Sequence, residues 1–206
     1  MKRNNFFCKI LFLILMLNFY FIKVNRKTNN EKNHISILRK TSAECTLFLN
    51  KNDEFPIKNP CKVLLIGSGA RNTIIGGFGS SNVESINYTT CEEGLEKAEF
   101  KITTKEWLNQ YIKIKEGKIK EYIENIKKSK KYSNYVIFPE YEYNLNIKEK
   151  KYKADIVIYV LSRNSGESID RKLIKGDFFL TDTEIKDILY LDKKYKKFML
   201  YYYYHN

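Results

Sequence analysis

No Cys-x-x-Cys pair occurs in this 206-residue chain, and its four cysteines (Cys8, Cys45, Cys61, Cys91) form no metal-ligand spacing with its two histidines, His34 and His205. That excludes a zinc ribbon or finger, and no metal is implied. Cys8 falls in a leader, which leaves an odd three cysteines read as free, partly buried thiols. Arginine is scarce too, although 37 Lys+Arg against 24 Asp+Glu give a formal charge of +13. The excess is lysine, spread over the whole chain among abundant Asn, Ile and Tyr. A solvated lysine-rich surface therefore outweighs a nucleic-acid face, which would use the bidentate arginine fork. No nucleic-acid partner is expected.

A clean apolar run of the roughly 20 residues that a spanning helix needs is also missing. The longest, FFCKILFLILMLNFYFI, is interrupted by Lys9 and Asn18. Preceded by Lys2 and Arg3, it has the n- and h-regions of a secretory signal, but no small-x-small cleavage site follows. Residues 1–27 are accordingly read as a signal peptide, a signal-anchor or an added leader, and any membrane contact is expected through them alone. A true signal implies a secreted or membrane-anchored protein; otherwise the chain is cytoplasmic. Asn87-Tyr88-Thr89 is an N-glycosylation acceptor, meaningful only in a eukaryotic secretory pathway.

The remaining composition, 43% hydrophobic and 30% charged, is that of a globular protein with room for one ordinary domain. KVLLIG and DIVIYVL are continuous apolar runs of the kind buried strands show. From Thr104 to about Lys131, Trp107, Leu108, Tyr111, Ile112, Ile119, Tyr122, Ile123 and Ile126 recur at helical spacing, which predicts a long amphipathic helix. CEEGLEKA reads as a short helix and EFKITT as a strand. TDTEIKDILYLDKKYKK reads as a helix capped by Thr181 or Asp182, and FMLYYYYHN as the start of another strand. Strands alternating with helices predict an α/β layered sandwich with a mostly parallel sheet. In such sheets ligands sit beyond the carboxyl ends of the strands. The two unusual loops, after Ile66 and after Leu161, should therefore share one rim.

The first loop, GSGARNTIIGGFGSS, invites a nucleotide reading that its residues do not support. Gly67 and Gly69 fill two positions of the dinucleotide fingerprint, but Asn72 stands at the third and no helix begins there. No Gly-Lys-Ser/Thr closes a P-loop. The second loop concentrates Arg163, Glu167, Asp170, Arg171, Lys172, Lys175 and Asp177, with Gly166 and Gly176 for sharp turns. Spacing alone is compatible with a salt-bridged surface loop. Gly166, immediately before Glu167, allows the backbone to project that carboxyl group off the rim.

Four blocks, in order, resemble family 3 glycoside hydrolases of the β-glucosidase type. SRNSGESIDRKLIKGDFFLTDTE resembles the family's S-R-x-S-G-E-G-x-D-R and K-G-D-F-x-L segment. RKTSAECTLFLNKNDEFPIK resembles its R-x-x-A-x-E-G-x-V-L-L-K-N segment. KVLLIGSGARNTIIGGFGSSNV resembles its strand and G-G-x-G-S-x-x-V loop, and TTCEEGL its T-x-x-E-G-L. The resemblance implies that residues 34–200 are a partial C-terminal sandwich domain, incomplete at its C-terminal end, with 201–206 a divergent tail. It implies a retaining hydrolase of O-glycosyl bonds without a cofactor, and Glu167 as the general acid/base. Gly76, Gly77, Gly79 and Ser80 would form a wall of the substrate site, and Arg163, Asp170, Arg171 and Asp177 would organise the catalytic loop.

The implied partners are a β-glucoside-type carbohydrate and a separately encoded barrel domain carrying the nucleophile. Two departures stand in the motifs: Ser168 replaces the glycine after the Glu, and Cys45 replaces the E-G-x-V glycine. Asp53, Glu54, Asp155, Asp170 and Asp177 are the chain's own substitutes for a second carboxylate, but a retaining site needs its two carboxyl groups about 5 Å apart across a sugar. Asp170 shares Glu167's loop, which seldom places two carboxylates on opposite faces. The isolated chain is therefore expected to be inactive. The alternatives are a non-catalytic carbohydrate-binding or decayed remnant and, remotely, a basic nucleic-acid binder.

Overall fold

The computed structural model describes residues 28–42, 44, 54–74, 76, 88–129, 138–148, 151–165 and 170–205, the side chains of 203–205 excepted. Two compact units divide the chain, Met1–Asn52 and Asp53–Asn206. Within the first, α1 (Asn29–Thr41) begins at a capping box: the Thr28 hydroxyl accepts from the Glu31 amide while the Glu31 carboxylate accepts from the Thr28 amide. The sequence HISILRKTSAECTLFLNKND predicts a helix and then a short strand; residues 45–53, where that strand falls, lie outside the described residues.

The second unit holds β1 (Lys62–Ile66), α2 (Cys91–Lys97), β2 (Lys101–Ile102), α3 (Lys105–Ser129), β3 (Ile156–Asn164), α4 (Asp182–Lys194) and β4 (Phe198–His205). Among the described residues, four strands pair in parallel in the order β2-β1-β3-β4, the sheet of an α/β sandwich. Such a sheet is covered on both faces, which is why β1 reads as an unbroken apolar run: Val63, Leu64, Leu65 and Ile66 are all buried. Ile156, Val157, Tyr159, Val160 and Leu161 of β3 lie beside them. β4 continues through Tyr201–Tyr204 to His205, with Val160 opposite Tyr201 and Asn164 opposite His205.

The edge strand β2 has only two residues, and a side chain extends its ladder. The buried Thr104 hydroxyl accepts from the Leu65 amide at 3.0 Å and donates to the Leu65 carbonyl at 2.5 Å. α3 presents Trp107, Leu108 and Tyr111 to the core, with the Trp107 and Tyr111 rings stacked at 5.3 Å and Tyr143 edge-on to both. Trp107, the chain's one tryptophan, is 1% exposed. α4 starts at Thr181, which forms a capping box with Glu184. Among the described residues no helix is long and apolar enough to cross a membrane.

The strand order has a reversal that matters for ligands. From β1 the chain leaves by α2 to β2 on one side, and from β3 it leaves by α4 to β4 on the other. The loops beyond the carboxyl ends of β1 and β3 therefore diverge, opening a crevice between two adjacent strands.

Candidate functional site

Gly67 and Gly69, the two glycines that hinted at a phosphate cradle, serve strand packing. Gly67 has φ +100°, and a Cβ there would lie 2.3 Å from the Val160 carbonyl oxygen of β3. Only glycine lets the chain turn this close to its neighbour. Two residues on, the Gly69 amide donates to that same carbonyl at 3.0 Å. The first loop is then tied to the second by side chains. Ser68 Oγ accepts from the Ser162 amide at 3.0 Å, Ser162 Oγ donates to Asn72 O at 3.3 Å, and Asn164 Nδ2 donates to Gly76 O at 3.0 Å. Both loops share the rim, as strand order requires.

The loop after β3 folds on ion pairs. Arg163, 2% exposed, reaches Glu184 of α4 at 2.6 Å, and its Nε donates to the Asp177 carbonyl at 3.2 Å. Burial pulls the Arg163 guanidinium down, but the Glu184 carboxylate outweighs it and the net displacement is upward. Arg171 Nη1 donates to Asp177 Oδ1 at 2.7 Å, Nη2 donates to the Asn164 carbonyl, and Asp177 Oδ2 accepts from the Lys172 amide at 3.1 Å. Gly176, at φ +81°, makes the turn; a Cβ there would sit 2.1 Å from Glu140 O. Asp170 is exposed at the start of this stretch. Gly77, Gly79, Ser80 and Glu167 lie outside the described residues.

Between the loops lies a cleft of about 410 Å³, within the usual range for small-molecule sites. Asn72, Thr73, Ile74 and Gly76 line it from the first loop, Ser162, Arg163 and Asn164 from the end of β3, and Arg171 from the second loop. Lys115 and Ile119 of α3, with Tyr88, Phe138 and Glu140, complete it. Sequence reasoning missed Lys115, Glu140 and Asn164. Glu140 is 8% exposed and accepts from Tyr111 Oη and from Lys115 Nζ, the latter at 3.0 Å. Burial first, and then the Glu140 charge, push the Tyr111 hydroxyl well above its ordinary range, so it stays protonated as a donor. Nothing in FPEYE flags Glu140, because its partners come from a distant helix.

Among the described residues, two polar atoms of this wall are buried without a hydrogen-bond partner, Arg171 Nε and Asn164 Oδ1. Each such atom costs roughly 1–3 kcal/mol while it stays unmet. The described residues of the site offer hydrogen-bond donors, acceptors and aromatic surface. Among the described residues no group of three or more His, Cys, Asp or Glu could hold a metal ion.

The fold and rim define an α/β sandwich domain whose cleft lies where the strand order reverses. Solved structures of β-glucosidase 3B from Thermotoga neapolitana, a family 3 glycoside hydrolase, are similar to it. The complex of that enzyme with α-D-glucose matches at TM-score 0.62 and 25% identity, over 85% of this chain and 24% of that one. Its glycerol complex matches at TM-score 0.59 and 26% identity, over 83% and 24%. This chain thus spans about a quarter of those enzymes' length, and over that span it is a glycoside hydrolase-like domain. No protein-family model matches the chain, and no curated protein does.

Proposed function

We propose that this chain is the sandwich portion of a retaining β-glucosidase-like hydrolase and supplies its general acid/base, Glu167. The observation that carries the reading is the crevice at the strand reversal, walled by the two loops whose motifs resemble the family's. The likeness to an enzyme solved with glucose and glycerol supports a carbohydrate as the ligand. Arg171 and Asp177, paired at 2.7 Å, follow Glu167 in the same loop. Protonating a leaving oxygen at neutral pH needs a carboxyl group whose pKa is raised by its surroundings. The second carboxylate, the nucleophile, comes from a barrel partner, as does most of the contact to the reactive sugar. Residues 1–27 act as a leader, and 34–200 are the hydrolase domain.

The test is an assembled enzyme, this chain joined to a family 3 barrel. Glu167→Gln should slow hydrolysis of an aryl glucoside with a poor leaving group by about 10²–10⁴-fold, and slow a good leaving group much less. An unchanged rate on the poor leaving group sinks the assignment. The chain by itself should not turn over nitrophenyl β-glucoside, β-xyloside or N-acetyl-β-glucosaminide. Glycosylation and deglycosylation both pass through the nucleophile's covalent adduct. Turnover above background that vanishes in Glu167→Ala would show that the chain has its own nucleophile.

A further inference from the structure

We propose that α1 (Asn29–Thr41) is an interfacial helix that lies on an anionic phospholipid surface, held there by an apolar face and a basic one. The proposal goes beyond the hydrolase reading and does not depend on it.

The helix is closed at its ends but covered on no side. No residue of α1 is buried, and Ile37 and Leu38 are 59% and 65% exposed. At 100° per residue, Ile35, Ile37 and Leu38 fall within one arc of about 160°. Lys32, Asn33, Ser36, Arg39 and Lys40 occupy the opposite arc, of about 120°. Glu31 and Thr41 share the apolar side but spend their oxygens at the helix ends. The Glu31 carboxylate accepts from the Thr28 amide, and Thr41 Oγ donates to Ile37 O at 3.0 Å. Ser42 closes the last turn, its amide donating to Leu38 O at 2.8 Å and its hydroxyl to Arg39 O at 3.0 Å. A helix at a lipid boundary needs its terminal backbone groups satisfied in this way, because hydrocarbon offers them no partner. Asn30 and His34 remain polar on the apolar side, which keeps the helix at headgroup depth rather than in the hydrocarbon.

Charge names the partner. From Lys23 to Lys40 the chain carries Lys23, Arg26, Lys27, Lys32, Arg39 and Lys40 against Glu31 alone. A basic cluster on an amphipathic helix is drawn to anionic headgroups, and each Lys or Arg near the surface strengthens binding about fivefold. The order of the chain favours lipid over an acidic protein groove. α1 follows directly on the apolar run FFCKILFLILMLNFYFI and its basic flank. A run of that kind partitions to bilayers and brings the helix after it to their surface. With 13 residues, α1 has the length at which a helix by itself is marginal in water. Lipid binding should therefore also stabilise it.

The experiment mixes the full chain with phosphatidylcholine vesicles containing about 30% phosphatidylserine, and follows amide hydrogen exchange segment by segment. Exchange in α1 should slow at least about tenfold, with β1 and β3 unchanged. Pure phosphatidylcholine vesicles should slow it less than about threefold. Leu38→Gln and Ile35→Gln, on the apolar arc, should each return exchange to within about twofold of the lipid-free rate. Ser36→Gln, on the opposite arc, should keep the slowing. The double variant Arg39→Gln/Lys40→Gln should lose it on the anionic vesicles. Reading exchange within α1 separates its contact from attachment through residues 1–27. Capture of the chain by vesicles with α1 exchange unchanged overturns the proposal. So does slowing that survives both Leu38→Gln and Ile35→Gln. Equal slowing on the two kinds of vesicle overturns the selection of anionic lipid. Protection of α1 that is already complete without lipid would mean that protein covers this face, and overturns it as well.

Discussion

Removing the Glu184 carboxylate should unfold much of this domain's stability at a single point. Its side chain and that of Arg163 are 2% and 3% exposed and meet at 2.6 Å. Without Glu184, the guanidinium keeps, among the described residues, the carbonyls of Ser162 and Asp177, at 3.1 and 3.2 Å. Stranding one charge of a buried pair costs about 3–5 kcal/mol. Glu184 Oε2 also accepts from the Thr181 amide at 2.8 Å, closing the capping box of α4. Losing a cap adds about 1 kcal/mol. Glu184→Ala should therefore cost about 4–6 kcal/mol, against a whole-domain stability of roughly 5–15. Glu184→Gln keeps the cap acceptor and loses the charge, so it should be the milder change. Arg163→Met strands the carboxylate instead and should cost about 3–5 kcal/mol at pH 7. The double variant Arg163→Met/Glu184→Gln buries no net charge, and its cost should fall at least 2 kcal/mol short of the sum of its parts. Urea unfolding followed by the fluorescence of Trp107, stacked in the core, reads all four. If the single costs simply add in the double variant, to within about 0.5 kcal/mol, the pair is not coupled and the account of this loop is wrong.

Three further outcomes follow from the same geometry. Thr104→Val, isosteric but without the hydroxyl, should cost about 2–4 kcal/mol by stranding the Leu65 amide and carbonyl, and a change under 1 would show that water takes over. Gly176→Ala should lower Tm by several degrees, because φ is +81° and the new Cβ meets Glu140 O. Gly117→Ala, in mid-α3 with nothing within 4 Å of its Cβ, should stabilise by about 0.5–1 kcal/mol; equal effects at the two glycines would refute the distinction. Burial raises the Asp187 carboxyl from 3.8 to about 6, against the Tyr143 hydroxyl that donates to it at 2.9 Å. Its contribution to stability is therefore fully present below pH 3.8 and is lost as pH rises through about 6, by up to about 3 kcal/mol. Asp187→Asn should remove that dependence, so parallel stability–pH curves for the two proteins would refute it.

Where local sequence and tertiary demand coincide, the fold was readable. The unbroken apolar runs of β1 and β3 marked buried parallel strands because both their faces are covered. The T-D-T-E of Thr181–Glu184 marked the start of α4 because a capping box is a local device. The rim was readable for a topological reason: both odd loops follow strand carboxyl ends. What stayed hidden depends on separation in the chain. Glu140 meets Tyr111 and Lys115 across 29 and 25 positions, and no local pattern announces such a pairing. Asn164 occupies the variable position of S-R-x-S-G-E, so a motif reading passes over it. Gly67 stood out only as part of a nucleotide fingerprint that the surrounding residues do not complete. Its reason lies in the Val160 carbonyl of another strand, which the sequence around Gly67 does not contain.

The dependence of the rim on strand register has a consequence for how the site is made. Val160 accepts from Gly69 and crowds Gly67, while Ser162, two residues on and so on the same face of β3, pairs with Ser68. Asn164, two further on, holds Gly76. Three successive alternate residues of one strand thus anchor three points of the other strand's loop. A slip of one residue would turn all three to the opposite face and leave Ser68, 2% exposed, without its partner. The same β3 residues pair with β4, Val160 with Tyr201, Ser162 with Tyr203 and Asn164 with His205. The cleft is therefore registered from both sides of β3. Its geometry is fixed by sheet pairing, so a group bound there would pay little to order these walls.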